Sequence, residues 1–134
     1  MTRGEIRGRV SEILMDHVGV ENAISMTALY EQVFGVRIRD KINDTRPIRR
    51  AITDLRCKGR RIGDARTREG GGYYLGRSEH EVREFLSRRT AEALKKLKMI
   101  AAMKRMSLPA LCGQLSLNLQ PTEETHDGRN DSGE

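Results

Sequence analysis

Between Arg46 and Leu75 the apolar period changes, and that change limits what the chain can fold into. Ile48, Ala51, Ile52 and Leu55 stand at i, i+3, i+4 and i+7, the buried set of one helix. At about 100° per residue, Arg46, Arg50, Thr53 and Cys57 fall opposite them, flanked by Arg49. Asp44-Thr45 is placed to cap this helix, Pro47 sits in its first turn where a missing N–H costs nothing, and Gly59 ends it. Two short strands are then expected, around Arg61–Ala65 and Tyr73–Leu75, joined by Arg66-Thr67-Arg68-Glu69-Gly70-Gly71-Gly72.

Two helices precede this unit. Ile6, Val10, Ile13 and Leu14 make the stripe of a first helix ending near Gly19, with His17 at its edge as a partly buried packing residue. Ile24-Ser25-Met26 reads as a short extended segment. Thr27 then caps a second helix whose Leu29, Tyr30, Val33 and Phe34 pack inward, with Gly35 as its C-cap. Residues 36–43 form a loop longer than most helix-turn-helix connections. The expected architecture is therefore mainly α with a small β-hairpin: over residues 1–77, a helix-turn-helix followed by a wing.

Only 37% of the 134 residues are hydrophobic and 4% aromatic, with no Trp, so the core must be small and aliphatic. The net charge of +6 is unevenly spread. Residues 46–68 hold nine basic side chains, eight of them Arg, against Asp54 and Asp64. Such a concentration is the electrostatic footprint of a phosphate-backbone binder, and Arg suits bidentate phosphate and guanine contacts. The expected DNA-binding residues are Arg46, Arg49, Arg50, Thr53, Arg56, Lys58, Arg60, Arg66 and Arg68.

The stretch Pro47 to Arg56, then Gly59, Ile62 and Gly71-Gly72-Tyr73-Tyr74-Leu75, resembles the winged-helix module of biotin-operon-repressor-like and WYL-type regulators. The resemblance covers residues 5–76. It implies that the helix bearing Arg49-Arg50 is the recognition helix and that Gly-Gly-Tyr-x-Leu closes the wing. The pattern departs at Ala51, where many members carry Asp. Nothing downstream resembles a ligand-sensing domain, which speaks against a metabolite-controlled repressor of the usual plan.

Ser78-Glu79-His80-Glu81 fits a capping box for a long helix over 78–106. Val82, Phe85, Leu86, Ala93, Leu97 and Ile100 define its stripe, widened by Leu94 and Ala101. A helix of this length outruns so small a domain. Either it pairs with a second copy, the expected homodimer, or it is a lever carrying a flexible tail, residues 107–134. Residues 120–134 are acidic and polar and are expected to be disordered. Before them, Gln114-Leu115-Ser116-Leu117-Asn118-Leu119 resembles the bacterial sliding-clamp-binding peptide. That resemblance implies Gln114 as polar anchor and Leu117 and Leu119 in the clamp's apolar pocket, with Leu115 and Ser116 completing the site.

No G-x-S-x-G, HExxH or P-loop pattern occurs, so an enzyme is not expected. Cys57 and Cys112 are far apart and His17, His80 and His126 scattered, which gives neither a disulfide framework nor a metal site, and no cofactor is implied. The chain has no run of about 18 apolar residues for a membrane span and no apolar segment after Met1 for a signal peptide, so a cytoplasmic location is expected. The combined expectation is a duplex-DNA-binding accessory protein, phage- or prophage-like, tethered to the replication sliding clamp in DNA replication or clamp-coupled transcription. The alternative is a dimeric winged-helix transcription regulator without clamp binding.

Overall fold

A computed structural model describes residues 1–66 and 71–126. The chain is mainly helical, with a two-stranded antiparallel sheet: α1 (Arg3–Leu14), a 3-10 turn (Val20–Asn22), α2 (Met26–Phe34), α3 (Arg46–Cys57), β1 (Ile62–Ala65), β2 (Gly72–Leu75), α4 (Glu79–Lys104) and α5 (Leu108–His126). It divides into two compact units, residues 1–87 and 88–134.

In the first unit α1 opens on a capping box. The Glu5 N–H donates to Thr2 Oγ1 at 3.1 Å, and the Thr2 N–H donates to Glu5 Oε1 at 2.8 Å. The helix stops at Leu14, five residues short of Gly19, because the chain is drawn onto the sheet. Leu75 N–H donates to His17 O, and Gly19 N–H donates to Leu75 O. Ile24 and Tyr73 exchange both backbone hydrogen bonds at 2.8 Å. The expected extended segment is thus a single bridging residue. Ser25 then caps α2, its Oγ accepting from Ala28 N–H at 3.1 Å, which corrects the expectation that Thr27 would cap; Thr27 already lies inside the helix. Gly35 ends α2 in the left-handed conformation, as expected.

Val10, Ile13 and Leu14 of α1, Leu29 and Val33 of α2 and the α3 set Ile48, Ala51, Ile52 and Leu55 form one aliphatic core with Ile24 and Ile62. Each fully buried Leu or Ile in it contributes on the order of 1.5–3 kcal/mol of transfer free energy. The hairpin pairs Ile62 with Leu75, Gly63 with Tyr74, Asp64 with Tyr73 and Ala65 with Gly72. Two glycines make its return possible. Gly71 has φ of +84°, and a Cβ there would run into the carbonyl of Ala65. A Cβ on Gly72 would strike the carbonyl of Ile24, so the Ile24–Tyr73 bridge requires a glycine beside it.

Ser78 caps α4 by accepting from Glu81 N–H at 3.2 Å. The expected box is only half made. The Glu81 carboxylate accepts instead from the N–H groups of Arg77 at 2.7 Å and Val20 at 2.9 Å, tying the start of α4 to the 3-10 turn.

In the second unit α4 ends at Lys104, and Arg105 takes φ of +58° while Met106 N–H donates back to Ala101 O. Where a flexible tail is expected from residue 107, and disorder from residue 120, Leu108–His126 forms helix α5. Ser107 Oγ accepts from Ala110 N–H at 3.2 Å, and Pro109 occupies the first turn, where it helps a helix to start instead of breaking it. Leu111 and Ala101 are buried. Residues 127–134, also expected to be disordered, lie outside the described residues. Among the described residues no helix is long and apolar enough to cross a membrane.

Candidate nucleic-acid interface

The exposed side of α3 carries Arg46, Arg49, Arg50 and Thr53, with Cys57 at its end, opposite the buried Ile48, Ala51, Ile52 and Leu55. The spacing makes this division inevitable once one side is apolar. Asp54 is the one acid in the helix, and it is turned off this face toward α1. There its carboxylate receives Arg3 Nε and a terminal guanidinium nitrogen at 2.9 and 3.0 Å, with Arg7 at 3.6 Å. The hydrogen bond from Arg3, and then the charges of Arg3 and Arg7, hold the Asp54 carboxyl below the usual aspartate value. The outward face is left without an acidic side chain.

Its three arginines are not equivalent. Arg49 donates to Thr45 Oγ1 and, at 2.9 Å, to Ile42 O. Arg46 donates to Asn43 Oδ1 at 3.2 Å. Among the described residues Arg50 makes no hydrogen bond or ion pair, so its whole fork is available to a ligand. Thr45 stands at the N-cap position of α3, as expected, but its side chain makes no capping hydrogen bond to the helix. Its side chain, 1% exposed, donates to Lys41 O and accepts from Arg49, which binds the preceding loop to the helix.

That loop is built on two carboxylates. Asp44 Oδ2 accepts from the N–H groups of Arg39 and Asp40, both at 3.0 Å. Asp40 accepts from Ile42 N–H, Asn43 N–H and the Asn43 side-chain amide. These bonds lower both carboxyls, Asp40 chiefly through the Asn43 N–H and Asp44 chiefly through the Asp40 N–H. Arg37, Arg39 and Lys41 stand exposed along this loop. Sequence spacing does not single them out, because an irregular segment has no period to read.

The remaining expected contacts separate. Arg56 points inward: Nε donates to Ile62 O at 2.8 Å, a terminal nitrogen lies 3.5 Å from Asp64 Oδ2, and the guanidinium sits 5.9 Å from the Tyr73 ring centroid and 5.4 Å from that of Phe85. It joins α3, the hairpin and the start of α4. Lys58 is exposed at the C-cap of α3. Arg60 is half-buried just beyond, its Nε buried without a hydrogen-bond partner among the described residues. Arg66 is exposed at the end of β1, and Arg68 lies outside the described residues.

In the second unit, Gln114 Oε1 accepts from Lys104 Nζ at 3.2 Å. Leu115 is half-buried, Ser116 exposed and Leu117 72% exposed; the Leu119 side chain lies outside the described residues. On a helix, residues two apart diverge by about 200°, so Leu115 and Leu117 face opposite ways in α5, whereas an extended strand would align them. Cys57 and Cys112 are free and exposed. Compared with protein-family models, curated proteins and solved structures, the chain matches none.

Proposed function

We propose that residues 5–76 are a winged helix and that the protein binds duplex DNA by laying the exposed face of α3 in the major groove. One observation carries this reading: Arg46, Arg49, Arg50 and Thr53 share a face from which Asp54, the acid of that helix, has been withdrawn by Arg3 and Arg7. An α-helix fits the major groove, and a free guanidinium such as that of Arg50 matches the O6 and N7 acceptors of guanine. Lys58, Arg60 and Arg66 add charge near the backbone, while Arg56 supports the hairpin. Arg68 in the wing belongs to the same reading.

The test is amide chemical-shift mapping of the labelled protein on addition of a random-sequence duplex. Perturbations should centre on residues 46–53. Perturbations that spare α3 would overturn the placement.

The Gln114–Leu119 segment is read as a peptide for a bacterial sliding clamp, which would make the protein an accessory of replication or clamp-coupled transcription. Exposure of Leu117 supports it, since that anchor is not used by the protein's own fold. Docking in the extended form requires α5 to open over those residues, so the isolated interaction should be weak. Without clamp binding, the protein is a winged-helix transcription regulator. In either case, the apolar stripe of α4, with half-buried Leu97 and exposed Leu94 and Ile100, is read as the face that pairs with a second copy.

A further inference from the structure

The loop between α2 and α3 departs from an ordinary connection in both its order and its charge. Its two carboxylates are saturated from within, receiving five N–H donors from residues 39–43. The basic side chains of the same segment are not. Arg37, Arg39 and Lys41 are exposed, and among the described residues their side chains make no hydrogen bond or ion pair. The loop is also fastened to the helix behind it, since the carbonyls of Lys41 and Ile42 are held by Thr45 and Arg49. A segment that was only a connection would need neither a buried threonine nor an arginine of the recognition face to hold it.

We propose that the 36–45 loop is a second, prefolded contact of this protein with duplex DNA, in which Arg37, Arg39 and Lys41 bind backbone phosphates while Thr45 and Arg49 act as positioning residues. The inference rests on the duplex-DNA reading of α3. It follows from placement. When the first turn of α3 lies in the groove, a loop one side chain away from that turn lies at the groove's rim, where the phosphates run. Contacts of this kind set register and affinity without reading bases. Because the loop is already ordered, little further conformational entropy is lost on binding. Arg49 accordingly belongs to the loop more than to the bases, and Arg50 is left as the principal base-reading arginine.

The experiment compares the full-length protein with the triple variant Arg37→Gln, Arg39→Gln, Lys41→Gln on duplexes of two unrelated sequences over a range of salt. Removing one cation from a phosphate flattens the slope of log K against log salt by about 0.9. The triple variant should therefore show a slope shallower by roughly 2–3, and an affinity at least about tenfold lower near 0.1 M salt on both sequences. Thr45→Val should reproduce part of this effect, and Thr45→Ser should restore binding, since the hydroxyl is the part of Thr45 that holds the loop. If the wild type binds DNA and the triple variant keeps its slope, the loop contact is wrong and the α3 reading stands. If the wild type binds no duplex DNA, both fall. A Thr45→Val protein with the wild-type slope would overturn the positioning role.

Discussion

Arg3 and Asp54 are joined by two parallel hydrogen bonds, 2.9 and 3.0 Å, that pin the first turn of α1 to the third turn of α3. Arg3 is exposed and Asp54 half-buried, so the pair is partly screened by solvent and Asp54→Asn should cost about 0.5–1 kcal/mol in denaturant unfolding. Its pH signature is more specific. The folded carboxyl titrates below the unfolded one, whose ordinary value is about 3.9. The stabilisation is therefore complete above that value and lost as pH falls through the lower folded value. Wild type should lose more stability than Asp54→Asn between pH 5 and about pH 2. Parallel curves for the two proteins would contradict the assignment.

Arg56 should behave as a fold residue. Arg56→Ala removes a charged donor from Ile62 O and a cation from between Tyr73 and Phe85. A stability loss of about 2 kcal/mol is expected. Once the melting curve is allowed for, DNA affinity should be near that of wild type. A large affinity loss with unchanged melting would move Arg56 to the DNA surface.

The α4 surface gives a prediction on assembly. Leu97→Glu with Ile100→Glu should convert a dimer into a folded monomer in light scattering, with the far-ultraviolet helical signal retained. A wild type that is monomeric at high concentration would remove the dimer.

For the clamp reading, Gln114→Ala with Leu117→Ala should abolish binding to a bacterial sliding clamp in calorimetry while leaving DNA affinity intact. The wild-type interaction should be weak, about micromolar, because six residues must leave the helix and order in the pocket. Absence of clamp binding by the wild type would leave the plain regulator as the account.

The parts of this fold legible in the sequence are those where one local signal governs. The limits and buried set of α3 follow from Ile48, Ala51, Ile52 and Leu55, and the hairpin follows from Gly71-Gly72 and the alternation through Leu75. The misreadings occur where a polar side chain of the expected type is taken by another partner. Thr45 has the residue type of a cap, but Arg49 and Lys41 claim its hydroxyl. Glu81 has the spacing of a capping box, but Val20 and Arg77 claim its carboxylate. Pro109 and Gly113 look like breakers, yet a serine just ahead turns the proline into a helix starter. Which arginines are free is a non-local matter: Arg50 and Arg56 look alike in sequence, and only tertiary neighbours separate them.

On the proposed reading, the exposed face of α3 contacts duplex DNA and Arg50 is its free arginine. Fluorescence anisotropy titration of a labelled duplex with wild type and Arg50→Ala, at fixed salt and with matched melting curves, tests it most directly. On a guanine-containing site that the wild type prefers, Arg50→Ala should lose about 1–3 kcal/mol of binding free energy, roughly tenfold to a hundredfold in Kd, and part of the preference for that site. Equal affinity and equal preference in the two proteins would contradict the account.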